Sequence, residues 1–147
     1  MRITIGADHA GFELKEAVTA HLAAAGHAVR DAGAYSLDPV DYPLIAAEVA
    51  GDVGSGAAEA GVLVCGSGIG MAIAANKVRG VRATPVYDVE LAELTRRHND
   101  SNVVSLAGRR TDESTAFAIV DTFLATPFDG GRHQRRVDQI TDMECQP

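Results

Sequence analysis

The chain has 147 residues, of which 46% are hydrophobic and 22% charged, and 13 Lys plus Arg against 20 Asp plus Glu leave a net charge of −7. That balance suits a single globular domain over residues 1–147 and excludes disorder; no apolar run nears the roughly 18 residues of a membrane span, and duplex nucleic acid is disfavoured by charge, so neither membrane nor nucleic acid is an expected partner. Cys65 and Cys145 are too few and too far apart for a disulfide framework, and the chain opens on a strand-like run rather than a leader, so the expected setting is the cytoplasm.

A strand is expected at residues 2–5, and after Gly11 the positions Leu14, Ala17, Val18, His21, Leu22 and Ala25 recur at helical spacing until Gly26. A second strand at 27–30 leads into a long loop at 33–43, then a helix at 44–53. The apolar run 62–65 reads as a buried strand, followed by Gly66-Ser67-Gly68-Ile69-Gly70 and a short apolar helix at 71–75. A fourth strand at 81–86 despite Pro85, a helix at 88–98, a strand at 103–106 and a helix at 113–124 complete the alternation. Past Thr126-Pro127, a tail at 129–147 starts with Gly130-Gly131 and continues as a short helix.

Five strands joined by helical crossovers predict an α/β fold with a doubly wound five-stranded parallel sheet, in the flavodoxin-like order 2-1-3-4-5. The chain then reverses its winding between strands 1 and 3. The loops after those two strands, 6–11 and 65–70, flank a crevice at the carboxyl edge of the sheet.

Gly66, Gly68 and Gly70 leave main-chain N–H groups unshielded where a helix begins, which favours a negative oxygen. Met71 stands where a dinucleotide fingerprint requires its third glycine, although Asp88 lies at the distance of a ribose-binding acid; the 6–11 loop runs into Phe12-Glu13 where a Walker motif requires Lys and Ser or Thr. Cys65, ending a buried strand before a helix N-terminus, has the setting of a base or nucleophile, against the plainer role of a small core residue. Ser67 can relay a proton or cap the helix. Asp8 and His9 offer an acid/base group and an imidazole at the same crevice, or else serve as a turn residue and a loop histidine.

Arg132 and Arg136, four apart, share one helix face and suit a phosphate clamp as well as they suit a solvated surface. Arg109, just past the fifth strand, could join them, whereas Arg110 reads as a surface charge. His98 ends a helix that starts at the carboxyl edge, so a rise of about 1.5 Å per residue carries it to the far edge from Cys65. It is either a packed histidine or a catalytic group delivered by a second subunit, with the apolar third helix as a contact surface. No H-E-x-x-H, C-x-x-C or paired acidic pattern occurs, so neither metal nor cofactor is expected.

Six blocks together carry a resemblance: Gly6-Ala7-Asp8-His9-Ala10-Gly11-Phe12, Asp41-Tyr42-Pro43, Cys65-Gly66-Ser67-Gly68-Ile69-Gly70, Ala74-Ala75-Asn76-Lys77, His98-Asn99-Asp100 and Gly130-Gly131-Arg132-His133-Gln134-Arg135-Arg136-Val137. In that order, and across nearly the whole chain, they resemble the ribose-5-phosphate isomerase B family, which also holds galactose-6-phosphate, allose-6-phosphate and tetrose-phosphate isomerases. The resemblance implies a metal-free aldose–ketose isomerase working through an enediolate. Cys65 matches the base that moves a proton between C1 and C2. Ser67 stands where many members carry threonine and keeps the hydroxyl that assists proton transfer. The amides of Gly66, Gly68, Ile69 and Gly70 match the group that holds the enediolate, and His98 matches the residue assigned to ring opening, with Asp8 as second choice. His9, Arg109, Arg132 and Arg136 match phosphate positions, while Tyr42 and Asn99 match positions lining the sugar. Some members place a glutamate on the following helix as base; Ala72, Ile73 and Ala74 supply no carboxylate here. Sites of the family lie between two subunits, so a homodimer, alone or paired into a dimer of dimers, is implied. A non-catalytic phosphosugar- or nucleotide-sensing module is the contrasting reading of the same glycine cradle.

Overall fold

The computed structural model describes residues 1–144; Cys145, to which no role is attached, lies outside them with the last two residues of the tail. The strands are β1 (Arg2–Ala7), β2 (Ala28–Asp31), β3 (Ala60–Cys65), β4 (Ala83–Pro85) and β5 (Val103–Ala107), and the helices are α1 (Phe12–Ala24), α2 (Tyr42–Gly54), α3 (Ile69–Ala75), α4 (Val89–Asn99), α5 (Glu113–Ala125) and α6 (Gln134–Met143). A 3-10 turn, Gly131–His133, leads directly into α6.

All strand pairs are parallel, as expected, but the order is β2-β1-β3-β5-β4. The last two strands are exchanged relative to the order 2-1-3-4-5. The physical reason lies in their composition. β5, Val-Val-Ser-Leu-Ala, is buried at all five positions and fits a central place between two neighbours. β4 has only three residues, and its Pro85 has no N–H to give a second ladder, which suits an edge. Asn76, at the end of α3, closes that edge: its side-chain amide donates to the Ala83 carbonyl at 2.8 Å while its oxygen accepts from the Ala83 N–H at 2.8 Å.

Alternating strand side chains divide the interior in two. On one face Ile3, Ile5, Val62, Val64, Val104 and Leu106 pack against α1, α4 and α5 through Leu14, Val18, Leu22, Ala92, Ile119 and Phe123. On the other, Leu63, Cys65 and Val103 meet α2 and α3 through Ala46, Val49, Ala50, Met71, Ala72 and Ala75. Burial on both faces explains why β3 reads as an unbroken apolar run instead of an alternating one. Gly11 sits so close to the Val64 carbonyl that any side chain there would collide with β3, which ties the start of α1 to the sheet.

Candidate active site

The winding reverses at β1 and β3 in this order as in the expected one, so the crevice forms between the loops that follow them. A cleft of about 560 Å³ opens there, lined by Asp8, Tyr42, Cys65, Gly66, Ser67, Gly70, Arg109 and Arg110. Cys65 is 5% exposed, at the last residue of β3. Its sulfur accepts the Gly68 N–H at 3.2 Å. Gly68 holds φ +76°, a left-handed turn in which any side chain would be strained and would press on the backbone of Ser105 and Leu106. That turn aims the amide back at the sulfur. The Ser105 hydroxyl secures it from below, donating to the Gly68 carbonyl at 2.7 Å.

Asp8 is buried at the cleft and its Oδ1 accepts the Gly11 N–H at 3.0 Å, so it serves the turn while lining the site. The His9 Nδ1 accepts the Val40 N–H at 3.4 Å, which in the neutral ring leaves the proton on Nε2 and ties the first loop to the 33–43 loop. Ser67 is exposed, one residue before the Gly68 N-cap of α3, and its Oγ accepts the Ile69 N–H at 3.3 Å, which leaves the hydroxyl proton free to donate elsewhere. Tyr42 begins α2 and lies over Gly70: a Cβ on Gly70 would stand 2.8 to 3.0 Å from the phenol ring and its oxygen. Only glycine allows that ring to cover the start of α3.

Because β5 adjoins β3, the turn after β5 lands beside the Cys65 loop. The Arg109 N–H donates to the Gly66 carbonyl at 3.3 Å, and its guanidinium lies along the space where Gly66 lacks a side chain. Arg110 is exposed, as a surface charge should be, and it also lines the same cleft. The Arg109 guanidinium against Gly66, a second arginine lining the cleft and the peptide N–H groups of the loop suit an anionic ligand.

His98, Asn99, Arg132 and Arg136 do not line this cleft. α4 begins near it, where the Tyr87 hydroxyl donates to the Ser67 carbonyl at 3.1 Å, and runs to the opposite edge of the sheet, where Asp100 pairs with Arg82 beside the start of β4. At that far edge His98 stacks on His133, ring centroids 4.4 Å apart and planes 11° from parallel. Arg97 holds Asp129 through both carboxylate oxygens at 3.1 and 3.2 Å, which keeps that carboxyl below the usual range. Arg132 and Arg136 are exposed next to the stack. Partial burial, then the charges of His98, Arg132 and Arg136, push the His133 imidazole below its ordinary value.

His98, Asp129 and His133 bring their ligating atoms within 4.8 Å of one another. Nearly parallel rings direct their in-plane lone pairs side by side rather than at a common point, and Arg97 occupies the carboxylate, so the arrangement is an imidazole stack rather than a ligand set. Among the described residues no helix is long and apolar enough to cross a membrane.

A family model described as Ribose/Galactose Isomerase matches residues 3–140. The chain belongs to that family. Ribose-5-phosphate isomerase B of Escherichia coli K12 is 43% identical over 143 residues, covering 97% of this chain and 96% of that protein. A crystal structure of a ribose 5-phosphate isomerase from Thermotoga maritima superposes with a TM-score of 0.94 at 49% identity, covering 96% and 97% of the two chains. The crystal structure of ribose-5-phosphate isomerase B from Mycoplasma genitalium with bound ribulose-5-phosphate gives a TM-score of 0.95 at 40% identity, covering 99% and 97%.

Within the family frame, the residues singled out from sequence fall into two groups. Asp8, Tyr42, Cys65, Gly66, Ser67, Gly70 and Arg109 gather at the cleft, with Gly68 and Ile69 in its loop bonded to Cys65 and Ser67 and His9 behind it against Val40. His98, Asn99, Arg132 and Arg136 gather away from it. Residues missed from sequence include Arg110 and Ser105. Pro85 was the available signal for Arg110, since an edge β4 places β5 and its following turn next to β3.

Proposed function

We propose that this chain interconverts D-ribose 5-phosphate and D-ribulose 5-phosphate through an enediolate, without a metal or cofactor, as one catalytic domain working in the cytoplasm. The observation that carries the reading is Cys65 Sγ, accepting a peptide N–H at 3.2 Å, in a cleft that Arg109 and Arg110 also line. A sulfur so placed removes the proton from C2 of the opened aldose and returns it to C1. The peptide N–H groups of Gly66 and Gly70, which line the cleft, are assigned to the negative oxygen that develops, while those of Gly68 and Ile69 donate to Cys65 Sγ and Ser67 Oγ; losing one oxyanion donor typically costs about 3 kcal/mol of barrier. Ser67 passes protons at the sugar oxygens, with Asp8 beside it. The names of the relatives and the ribulose-5-phosphate bound to the Mycoplasma genitalium structure support the five-carbon substrate.

The second group of residues supports a shared site. His98 opens the sugar ring, Asn99 lines the sugar and Arg132 and Arg136, with His9 and Arg109, hold the phosphate, provided a second copy brings its far edge against the first copy's cleft. Ile69 and Ile73 of α3 are 48% and 58% exposed and offer an apolar contact for such a homodimer, alone or within a dimer of dimers.

The experiment is deuterium exchange at C2 of ribose 5-phosphate in heavy water, followed by NMR without added metal. Exchange is expected for the wild type. It falls about a thousandfold in Cys65→Ala, the order of a lost general base. A Cys65→Ala protein with near-normal exchange removes the base. The same assay on erythrulose-, allose- and galactose-type phosphates ranks the alternative substrates. Saturable binding with no exchange on any of them supports a sensing module instead.

A further inference from the structure

We propose that Tyr87 is a positioning residue that sets the nucleophilicity of Cys65 through a single peptide unit. The Tyr87 hydroxyl donates to the Ser67 carbonyl at 3.1 Å, and the N–H at the other end of that same peptide, belonging to Gly68, donates to Cys65 Sγ at 3.2 Å. The peptide is trans, so its C=O and N–H point in opposite directions, with the phenol at one end and the sulfur at the other. A donor on the oxygen draws electron density from the nitrogen and makes the N–H a stronger donor, the cooperative effect of hydrogen bonds in series. Negative charge on the sulfur is stabilised by the same polarisation.

The geometry is held independently on its other side. The Ser105 hydroxyl, buried, donates to the next carbonyl, that of Gly68, at 2.7 Å. Tyr87 and Ser105 thus fix two successive carbonyls of the loop. Tyr87 does not line the cleft, so it acts on the sulfur through the backbone and not on substrate. It lies past the edge strand β4 and just before α4, two elements that contribute nothing else to the cleft.

This assignment rests on Cys65 being the base, and its test is separable from that reading. The substitution is Tyr87→Phe, which keeps the ring at an exposed position and removes one oxygen. The rate of Cys65 alkylation by iodoacetamide is followed against pH, with the modified peptide identified by mass spectrometry so that Cys145 does not contribute. Relative to wild type, alkylation at neutral pH is expected to fall about threefold, with the midpoint of the profile moved upward, since a shift of half a unit is about threefold in thiolate. On ribose 5-phosphate, kcat is expected to fall by a similar factor with KM within about twofold. An unchanged melting temperature accompanies these changes. A Tyr87→Phe alkylation profile that superposes on wild type overturns the proposal, whatever the turnover. Turnover that survives Cys65→Ala while the alkylation profile still responds to Tyr87 leaves the peptide relay standing and removes only the base.

Discussion

His98 and His133 lie face to face, 4.4 Å between ring centroids, at the edge of the sheet away from Cys65. The His133 ring is held below its ordinary value of 6.5 chiefly by burial and then by its neighbours His98, Arg132 and Arg136. A histidine lowered in the folded chain takes up its proton more readily once unfolded. Its contribution to stability is therefore intact above pH 6.5 and is lost as pH falls through the lowered folded value. The melting temperature is expected to decrease from about pH 7.5 to about pH 5.5, and His133→Asn is expected to flatten that decrease. Parallel pH dependences for the two proteins would show that His133 does not couple to folding.

Separation of Cys65 from His98 by the width of the sheet leads to a complementation experiment. Cys65→Ala and His98→Asn are each expected to abolish turnover as pure proteins. Unfolded together and refolded in equal amounts, they form mixed dimers in which one site has both native groups and the other neither. Half of all dimers then carry one intact site, and about a quarter of the wild-type rate returns. Sites contained within single chains would show no recovery.

Gly70 and Tyr42 form a tightly matched pair, because a Cβ at position 70 would stand 2.8 Å from the phenol ring. Gly70→Ala is expected to push Tyr42 aside and lower kcat/KM about tenfold, or about 1.4 kcal/mol. In a Tyr42→Ala background the same substitution is expected to add little, since the two act on one contact. Additive losses in a double-mutant cycle would mean that Gly70 matters for another reason.

Lys15 is fully buried on α1, with its ammonium paired to Asp31 and, at 2.8 Å, to Glu16, and lying over the rings of Phe12 and Tyr35. Asp31 in turn accepts the Gly33 N–H at 2.8 Å, and its own carbonyl accepts the Tyr35 hydroxyl at 3.1 Å, so the lysine anchors the start of the 33–43 loop. Lys15→Ala removes both the buried stem and the partner of Asp31, and is expected to cost about 3 kcal/mol by urea denaturation. A loss below about 1 kcal/mol would place the anchor elsewhere.

Much of this molecule was legible in the sequence. The alternation of short β-rich runs with longer helical ones defined every strand and helix, with boundaries differing by a few residues; the second helix starts at Tyr42 because Asp41 and Pro43 begin it, two residues before its apolar stripe. Cys65 at the end of an unbroken apolar run, followed by three alternating glycines, identified the cleft. His98 was placed at the opposite edge by helix rise alone. The neighbour relations of β4 and β5 were not legible in the same way, and neither Arg110 nor the contact from Tyr87 to Ser67 follows without them.

An amino-acid sequence of this kind determines by itself which segments become strands of a parallel sheet, since residues buried on both faces leave only a helix-covered sheet, and which loop carries the sulfur. Tertiary structure alone decided which strand lies beside β3. Apolar runs specify how deeply a strand is buried but not against which partner, and the choice between β4 and β5 falls to backbone hydrogen bonding, where Pro85 can serve only one side. That one adjacency brings the turn carrying Arg109 and Arg110 to the cleft that holds Cys65.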